Sequence, residues 1–366
     1  MAFVTPRFEK HEVNRAGKFL SADISTTIDN DWIWAYEVLA NWRACHGYPI
    51  NTFQSLLRKR VKENCKNGIV AQRLKRAPSV IAKLQRFKTM KLAQMQDIGG
   101  LRAVVDNVAI VRKLKEMYIN SNFMHELISS KDYISNPKDD GYRSIHLVYK
   151  YFNNHSPEFN ELLLEIQLRS RMQHSWATAV ETMGTFLGQA LKSGQGDKPW
   201  REFFEIASAA FTHLEKTEPI PAYASFSKDQ ILSLLGEAEN NLHVLNKLQG
   251  FSIAANKITS AKGAGSYHLV ILNSSNRTVS IKPFPKTQLE QANFEYAKVE
   301  ERGQQGEPLE AVLVSAGPVE ALKKAYPNYF LDTHEFVLHI KKLLKKDSSG
   351  GIPKKSSFEQ RKLRRR

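Results

Sequence analysis

Residues 162–170 read LLLEIQLRS, and this stretch decides the fold expected for the chain. Its even-numbered positions from Leu162 to Leu168 are apolar, whereas the odd positions from Glu165 through Gln167 to Arg169 are polar. Such a period of two is typical of a β-strand with one face on a core. The strand would therefore present a glutamate, a glutamine and an arginine in a row on its other face. An ordinary strand with one solvated face explains the same pattern.

The segments around this strand predict a mixed α/β (α+β) fold. Residues 101–107 (LRAVVDN) and 144–152 (SIHLVYKYF) also alternate as strands do. Residues 31–64 have helical spacing broken near Gly47, and Pro78 lies near the start of another helix. In that helix Val80, Leu84 and Phe87 would form the buried stripe. We expect a mixed β-sheet flanked by helices.

Composition shifts divide the chain into four parts. Residues 1–215 form the α/β domain with a helical N-terminal layer, and residues 216–261 form a helical linker in which Ser227 and Gln230 make a capping box. Residues 262–344 combine a hairpin with helices and predict a small second α+β domain. Residues 345–366 have the composition of a disordered basic tail.

Composition excludes several classes of protein. The 366 residues, 42% of them hydrophobic, contain no apolar run of about 18 residues, and charge follows the first residues at once. We therefore expect a cytoplasmic protein without a membrane segment. The two cysteines lack CxxC spacing, and the C-terminal histidines have no cysteine near them, so a zinc site is not expected.

The net charge of +16 predicts polyanionic partners. Residues 345–366 contain nine basic and two acidic residues, a net +7, so the rest of the chain keeps 16 − 7 = +9. Such a field attracts phosphates and nucleic acid. A merely solubilising surface accounts for the number equally well.

Three further segments carry residues suited to phosphate chemistry. Residues 96–106 (QDIGGLRAVVD) place Asp97 just before a strand that contains Arg102. The loop at residues 132–146 combines a lysine, a glycine turn, a tyrosine, an arginine and a histidine. Residues 73–83 place four cations around a helix start, where the helix dipole also favours phosphate.

Taken together and in order, these segments resemble the synthetase domain of the RelA/SpoT family. The specific parts are RLKRAPSVIAKL (73–84), DIGGLRAVV (97–105), YISNPKDDGYRSIHLVY (133–149) and LLLEIQLRSRMQHSWATAVE (162–181), within residues 60–190. The resemblance implies a nucleotidyltransferase-like mixed sheet. It also implies transfer of pyrophosphate from ATP to a hydroxyl of a nucleotide or an RNA.

The resemblance also implies roles for individual residues. Asp97 and Glu165 would hold Mg²⁺, and Glu165 would take the proton from the attacking hydroxyl. Arg73 and Arg102 would bind the adenine, and Lys75 and Lys83 the ATP phosphates. Tyr142 would stack on the acceptor base. The remaining residues of the expected cleft are Lys138, Arg143, His146, Gln167 and Arg169.

A narrower resemblance concerns regulation. A synthetase followed by a small domain without zinc ligands, with Tyr326 and Tyr329 in AYPNYF, resembles the fused toxic small alarmone synthetases of the CapRel phage-defence toxin–antitoxin group. That resemblance implies that the two tyrosines close over the nucleotide site and that a phage structural protein releases them. Alternatively, both tyrosines are packing residues of the small domain.

Three functions follow from these observations. The leading hypothesis is an autoinhibited, Mg²⁺-dependent pyrophosphokinase that modifies the 3′ CCA end of tRNA, which the excess positive charge favours. The first alternative is an alarmone synthetase with a guanine or adenine nucleotide as acceptor. The second is a basic RNA-binding protein without catalysis, against which the presence of both Asp97 and Glu165 counts.

Overall fold

The computed structural model describes residues 3–22, 30–189, 191, 194, 196–260, 265–273, 278–305, 307–315 and 329–347. The chain forms two compact units: Met1–Ala177 with Glu215–Glu218, and Thr178–Leu214 with Pro219–Arg366. This division differs from the domain boundaries predicted from the sequence, which remain predictions. Residues 345–347 of the predicted basic tail belong to the helix Tyr329–Asp347, whereas residues 348–366 and Tyr326 lie outside the described residues.

The first unit contains a helical layer and one mixed sheet. Its helices are α1 (Lys10–Ser21), α2 (Asn30–Cys45), α3 (Gly47–Asn64), α4 (Ala77–Arg86), α5 (Val108–Ile119) and the beginning of α6 (Arg171–Leu187). Its strands are β1 (Ile69–Leu74), β2 (Gly99–Val105), β3 (Glu126–Asp132), β4 (Ile145–Lys150) and β5 (Leu163–Ser170). The predicted mixed α+β fold is confirmed.

The strands lie in the order β1-β2-β5-β4-β3. Only β2 and β5 pair in parallel, and the other three pairs are antiparallel. β2, β4 and β5 were expected from their alternation. The edge strands β1 and β3 were missed because they are largely exposed and lack a continuous apolar face.

The central strand β5 buries the side predicted to face the core. Leu164, Ile166 and Leu168 are fully buried, α3 packs near the neighbouring strand β2, and Phe53 and Leu57 of α3 belong to the same core. Apolar burial of this kind stabilises the unit by roughly 25 cal/mol per Å². The opposite side of β5 is left to Glu165 and Gln167, and it forms part of the site described below.

Two local expectations for the helices were wrong. The sequence predicts a break at Gly47-Tyr48-Pro49 and a second helix that begins at Asn51 or Thr52, but α3 begins at Gly47. Pro49 is tolerated there because a proline in the first turn costs no intrahelical hydrogen bond. Phe87 was placed in the buried stripe of α4 with Val80 and Leu84, but it is the C-cap residue and 44% exposed. The helix ends one residue too early for Phe87 to join that stripe.

The second unit is mainly helical with a small sheet. It contains the remainder of α6, then α7 (Lys198–Glu215), α8 (Lys228–Leu242), α9 (Val244–Ser260), α10 (Leu289–Gln304) and α11 (Tyr329–Asp347). The strands β6 (Tyr267–Asn273), β7 (Thr278–Phe284) and β8 (Leu309–Ser315) form an antiparallel sheet in the order β7-β6-β8. The predicted hairpin corresponds to β6 and β7.

The linker differs from the single helix expected from its sequence. The capping box at Ser227 and Gln230 is present, with backbone-to-side-chain bonds of 2.8 and 3.2 Å. However, His243 adopts a left-handed conformation (φ 51°) and separates α8 from α9. Glu239 accepts hydrogen bonds from the backbone NH of Leu245 at 3.2 Å, which caps the start of α9. Within the described residues, no helix is long and apolar enough to cross a membrane.

Candidate active site

Gly100 lies at the centre of the polar face of the sheet. In the register of the strands, Gly100 of β2 is opposite Arg73 of β1 and Glu165 of β5. Residues opposite each other in neighbouring strands share a face of the sheet. Because Gly100 has no side chain, the space between Arg73 and Glu165 stays open.

Asp97 holds two lysines just before β2. Its Oδ2 lies 2.9 Å from Nζ of Lys75, which follows β1, and its Oδ1 lies 2.9 Å from Nζ of Lys83 in α4. Burial opposes ionisation of Asp97, but the two ammonium groups outweigh it and lower the pKa of Asp97 to about 2. Burial also lowers the pKa of Lys75, despite the neighbouring carboxylate. Two partly buried cations therefore converge at one point, as phosphate binding requires.

Arg73 and Arg102, predicted to bind adenine, lie on neighbouring strands. Arg102 is two residues beyond Gly100 on β2 and is opposite Gln167 of β5, so both arginines belong to the polar face. Arg73 is exposed, whereas Arg102 is half-buried. The structure thus places both arginines on one face of the sheet, and their role in binding adenine stays a prediction.

Glu165 and four neighbouring side chains form a closed ring of hydrogen bonds. Oε1 of Glu165 lies 2.8 Å from Nδ1 of His146, and Nε2 of His146 lies 2.7 Å from the hydroxyl of Tyr142. Nη2 of Arg169 donates to that hydroxyl at 2.6 Å and to Oε1 of Gln167 at 3.1 Å. Nε2 of Gln167 donates to Oε2 of Glu165 at 2.6 Å and closes the ring.

The ring sets the protonation of its members. Burial disfavours the carboxylate of Glu165, but hydrogen bonds from His146 and Gln167 hold the pKa of Glu165 below its ordinary value. Burial lowers the pKa of His146, yet Tyr142 and Glu165 raise it overall. Burial raises the pKa of Tyr142, and the charges of Arg169 and His146 reverse this and bring it to about 7. The ring thus favours the ionised form of Glu165 and the protonated form of His146 beside it.

Lys138 and Tyr142 lie close together, although Tyr142 is not open for stacking in this conformation. Nζ of Lys138 lies 5.2 Å from the ring centroid of Tyr142, and the guanidinium of Arg169 lies 5.1 Å from the same centroid. The predicted stacking on an acceptor base requires at least the flexible Lys138 side chain to move. Lys138 also lies 4.6 Å from the ring of Tyr133.

Arg143 does not join the other predicted residues, which corrects one expectation. Its side chain is 2% exposed, and its Nη1 lies 3.0 Å from Oε2 of Glu215 and 3.0 Å from Oγ1 of Thr217. Arg143 was placed in the cleft because it belongs to the motif at residues 133–149 that carries the family resemblance. A buried arginine needs a counter-charge, and Glu215 supplies it.

Two functional candidates were missed by sequence reasoning. The ring of Tyr133 contacts those of Tyr142 and His146 edge-on, at centroid distances of 6.0 and 5.3 Å. Its position in the quoted loop motif was the available signal. Glu215 lies outside every motif, and only the structure reveals it. Of the predicted regulatory tyrosines, Tyr326 and the side chain of Tyr329 lie outside what the structure describes.

The carboxylates of Asp97 and Glu165 suit a magnesium ion. Mg²⁺ prefers one or two carboxylates together with water and substrate phosphates. The charge of Asp97 acts against the overall lowering of the pKa of Glu165, so the two carboxylates interact electrostatically, and their sharing of a magnesium ion stays a prediction. In the part of the chain that the structure describes, no three His, Cys, Asp or Glu side chains cluster as a metal site.

Comparison with known proteins finds a family that matches part of this chain. Residues 72–184 match the family model described as a region found in RelA / SpoT proteins. This match contains all four segments in which the motifs predicted the resemblance. The narrower resemblance to the CapRel group stays a prediction.

Individual relatives agree with this class. The chain is 35% identical over 114 residues to the GTP pyrophosphokinase YjbM of Bacillus subtilis, covering 30% of this chain and 52% of the relative. It is 30% identical over 115 residues to the GTP pyrophosphokinase YwaC of the same organism, covering 29% of this chain and 52% of that protein. The chain thus spans about half the length of these curated relatives.

A solved structure is also similar in part. The small alarmone synthetase 1 of Bacillus subtilis, bound to its product pppGpp, shares 25% identity with this chain. The match covers 49% of this chain and 94% of that protein, with a TM-score of 0.43.

Proposed function

We propose that this protein is an ATP-dependent pyrophosphokinase that transfers pyrophosphate to a hydroxyl of a guanine nucleotide. The observation that carries the proposal is the arrangement on either side of Gly100. Asp97 with its two lysines provides a phosphate site, and Glu165 provides an ionised base held by His146. The names of the relatives YjbM and YwaC support a guanine nucleotide as the acceptor.

The proposed pyrophosphate transfer needs only a few side chains of the protein. The acceptor hydroxyl attacks the β-phosphorus of ATP, a new P–O bond forms, and the bond between that phosphorus and the α,β-bridging oxygen breaks to release AMP. The carboxylate of Glu165 takes the hydroxyl proton. Lys75 and Lys83 bind the phosphates, and Arg73 and Arg102 orient the adenine. Mg²⁺, held by Asp97 and Glu165, would supply further charge neutralisation.

Transfer to tRNA is the second candidate, and the net charge of +16 favours it. Each phosphate contact with Lys or Arg releases counterions, so a long RNA gains more from this charge than a nucleotide does. In this version the protein belongs to the CapRel-like toxin–antitoxin group and acts in the cytoplasm against phage. Tyr326 and Tyr329 restrain it until a phage structural protein binds.

One assay separates these functions. The full chain is incubated with Mg²⁺ and γ-labelled ATP together with GDP, GTP, an adenine nucleotide or bulk tRNA, and Glu165→Gln serves as the control. Label on a guanine nucleotide supports the main proposal, and label on tRNA alone replaces it with the second. Absence of transfer to any acceptor would point to a non-catalytic RNA-binding protein.

Autoinhibition is tested in the same assay. Tyr329→Ala should raise the transfer rate if Tyr329 restrains the site. A lower melting temperature without a higher rate would indicate that Tyr329 only packs in the small domain. Including this variant also ensures that a silent wild-type chain is not mistaken for an inactive one.

A further inference from the structure

Glu215 is a buried carboxylate that none of the functional motifs contains. It is the last residue of α7, belongs to the first compact unit, and lies outside the RelA/SpoT region at 72–184. Its side chain is 7% exposed. It accepts hydrogen bonds from Nη1 of Arg143 at 3.0 Å, from Nε2 of Gln173 at 3.1 Å and from the hydroxyl of Ser170.

Two of these donor residues each directly follow, in the sequence, a residue of the hydrogen-bonded ring. Arg143 directly follows Tyr142, and Ser170 directly follows Arg169. Tyr142 and Arg169 share the 2.6 Å bond of the ring that lies farthest from Glu165. Glu215 therefore ties together the two backbone segments that carry this bond.

Other contacts hold the same segments. Nη1 of Arg143 also donates to Oγ1 of Thr217 at 3.0 Å, and Ser144 Oγ accepts from Nε of Arg169 at 3.4 Å and donates to the carbonyl of Leu168 at 3.2 Å. Neutralising Glu215 would break its ion pair with the buried Arg143, and breaking a buried pair by removing one charge is costly. Because Arg143 is bonded to Tyr142 by the backbone, a shift of Arg143 that relieves this cost would displace the tyrosine.

We propose that Glu215 is a positioning residue of the active site, which fixes Tyr142 against Arg169 by binding Arg143 and Ser170 at the same time. The kinetic consequence rests on the proposed pyrophosphate transfer, whereas the geometric consequence does not. If Glu215 acted only on stability, its loss would lower the melting temperature and leave the ring unchanged.

The first test needs no catalytic activity. The tyrosinate absorbance of the full chain is titrated with pH, and the step missing from Tyr142→Phe identifies Tyr142. In Glu215→Gln this step should move upward by about one pH unit or more, because the phenolate loses its contact with Arg169. Glu126→Gln, which removes an exposed pair with Lys150, is the matched control and should leave the step in place.

An unchanged Tyr142 step in folded Glu215→Gln would overturn the proposal, even if that variant melts earlier. Should Glu215→Gln fail to fold, Ser170→Ala removes one donor without exposing a charge, and its Tyr142 step decides in the same way. If neither the wild-type chain nor Tyr329→Ala transfers pyrophosphate, the proposed function fails, but this titration still tests Glu215.

The second test is a double-mutant cycle on kcat/KM for the acceptor. Glu215→Gln and Tyr142→Phe should each lower it by about tenfold or more, and their combination should be little worse than the stronger single variant, because both break the same bond. Combined with Lys83→Ala on the phosphate side, Glu215→Gln should act multiplicatively. Multiplicative loss with Tyr142→Phe would contradict the proposal.

Discussion

The hydroxyl of Tyr142 lies 2.6 Å from Nη2 of Arg169, and the residue Arg169 is only 1% exposed. This contact places a full positive charge against a phenol in a site with little water. Electrostatic interactions are much stronger in such a site than in bulk solvent. It explains why the pKa of Tyr142 falls to about 7 although burial alone would raise it.

Replacing Arg169 by a neutral residue should therefore restore the ordinary pKa of Tyr142. In Arg169→Met the pKa of Tyr142 should rise from about 7 to its ordinary value of 10.0 or higher, since burial then acts unopposed except by His146. The tyrosinate absorbance, measured against Tyr142→Phe, reports this shift. Arg171→Met, next but one in the chain and paired with Asp106, should leave the titration of Tyr142 as it is.

The two carboxylates should be essential for transfer. Asp97→Asn and Glu165→Gln keep the size of each side chain but remove its charge, so each should lower kcat by at least about 10²-fold. Melting curves should show that both variants remain folded. Near-normal turnover by either folded variant would refute the assignment of its carboxylate.

Two adjacent glycines should respond differently to alanine. At Gly99 a Cβ would lie 3.1 Å from Cβ of His46 and 3.2 Å from Cδ1 of Leu164, whereas at Gly100 the nearest atom is Cγ of Arg73 at 3.8 Å. Gly99→Ala should destabilise the protein by about 1–3 kcal/mol through overpacking. Gly100→Ala should melt like wild type but lose activity, because a methyl group would enter the space between Arg73 and Glu165. Thermal unfolding and transfer assays on both variants test this contrast.

Glu239 should make the stability of the protein depend on pH. Burial raises its pKa from 4.5 to about 7, despite hydrogen bonds from the backbone of Leu245 and Val244. The folded state thus binds the proton more tightly than the unfolded state, and the free energy of unfolding falls as the pH rises from 4.5 to about 7. Above this range Glu239→Gln should be more stable than wild type by up to about 3 kcal/mol.

Denaturant unfolding on both sides of this range provides the measurement. The extra stability of Glu239→Gln relative to wild type should vanish below pH 4.5. Glu237→Gln, an exposed glutamate of the same helix, is the control and should match wild type throughout. An equal advantage at both pH values would show that the gain has another origin.

Much of the first unit follows from its sequence because local pattern and burial agree there. The alternation around Glu165 predicts β5 and its buried face, and Pro78 predicts the start of α4. Edge strands such as Ile69–Leu74 give no such signal, since their side chains are mostly solvated. The left-handed turn at His243 was missed because the apolar period continues through it.

The site was predictable only where a motif carried it. Asp97, Lys75 and Lys83 were expected together, and the structure joins them in two ion pairs of 2.9 Å. Membership of a motif misled for Arg143, because its partner Glu215 is distant along the chain. Long-range pairs of this kind depend on the tertiary fold, which local spacing does not encode.

The central place of β5 in the sheet has a consequence for biosynthesis. Although β5 is the last strand of the first unit to emerge from a ribosome, it lies between β2 and β4, so it must insert between strands made earlier. Such non-local pairing is slow, because chain entropy is lost before the contacts form. A nascent chain that stops before residue 165 lacks Glu165 and with it the hydrogen-bonded ring. Synthesis itself thereby delays completion of the candidate site until most of the first unit has been translated.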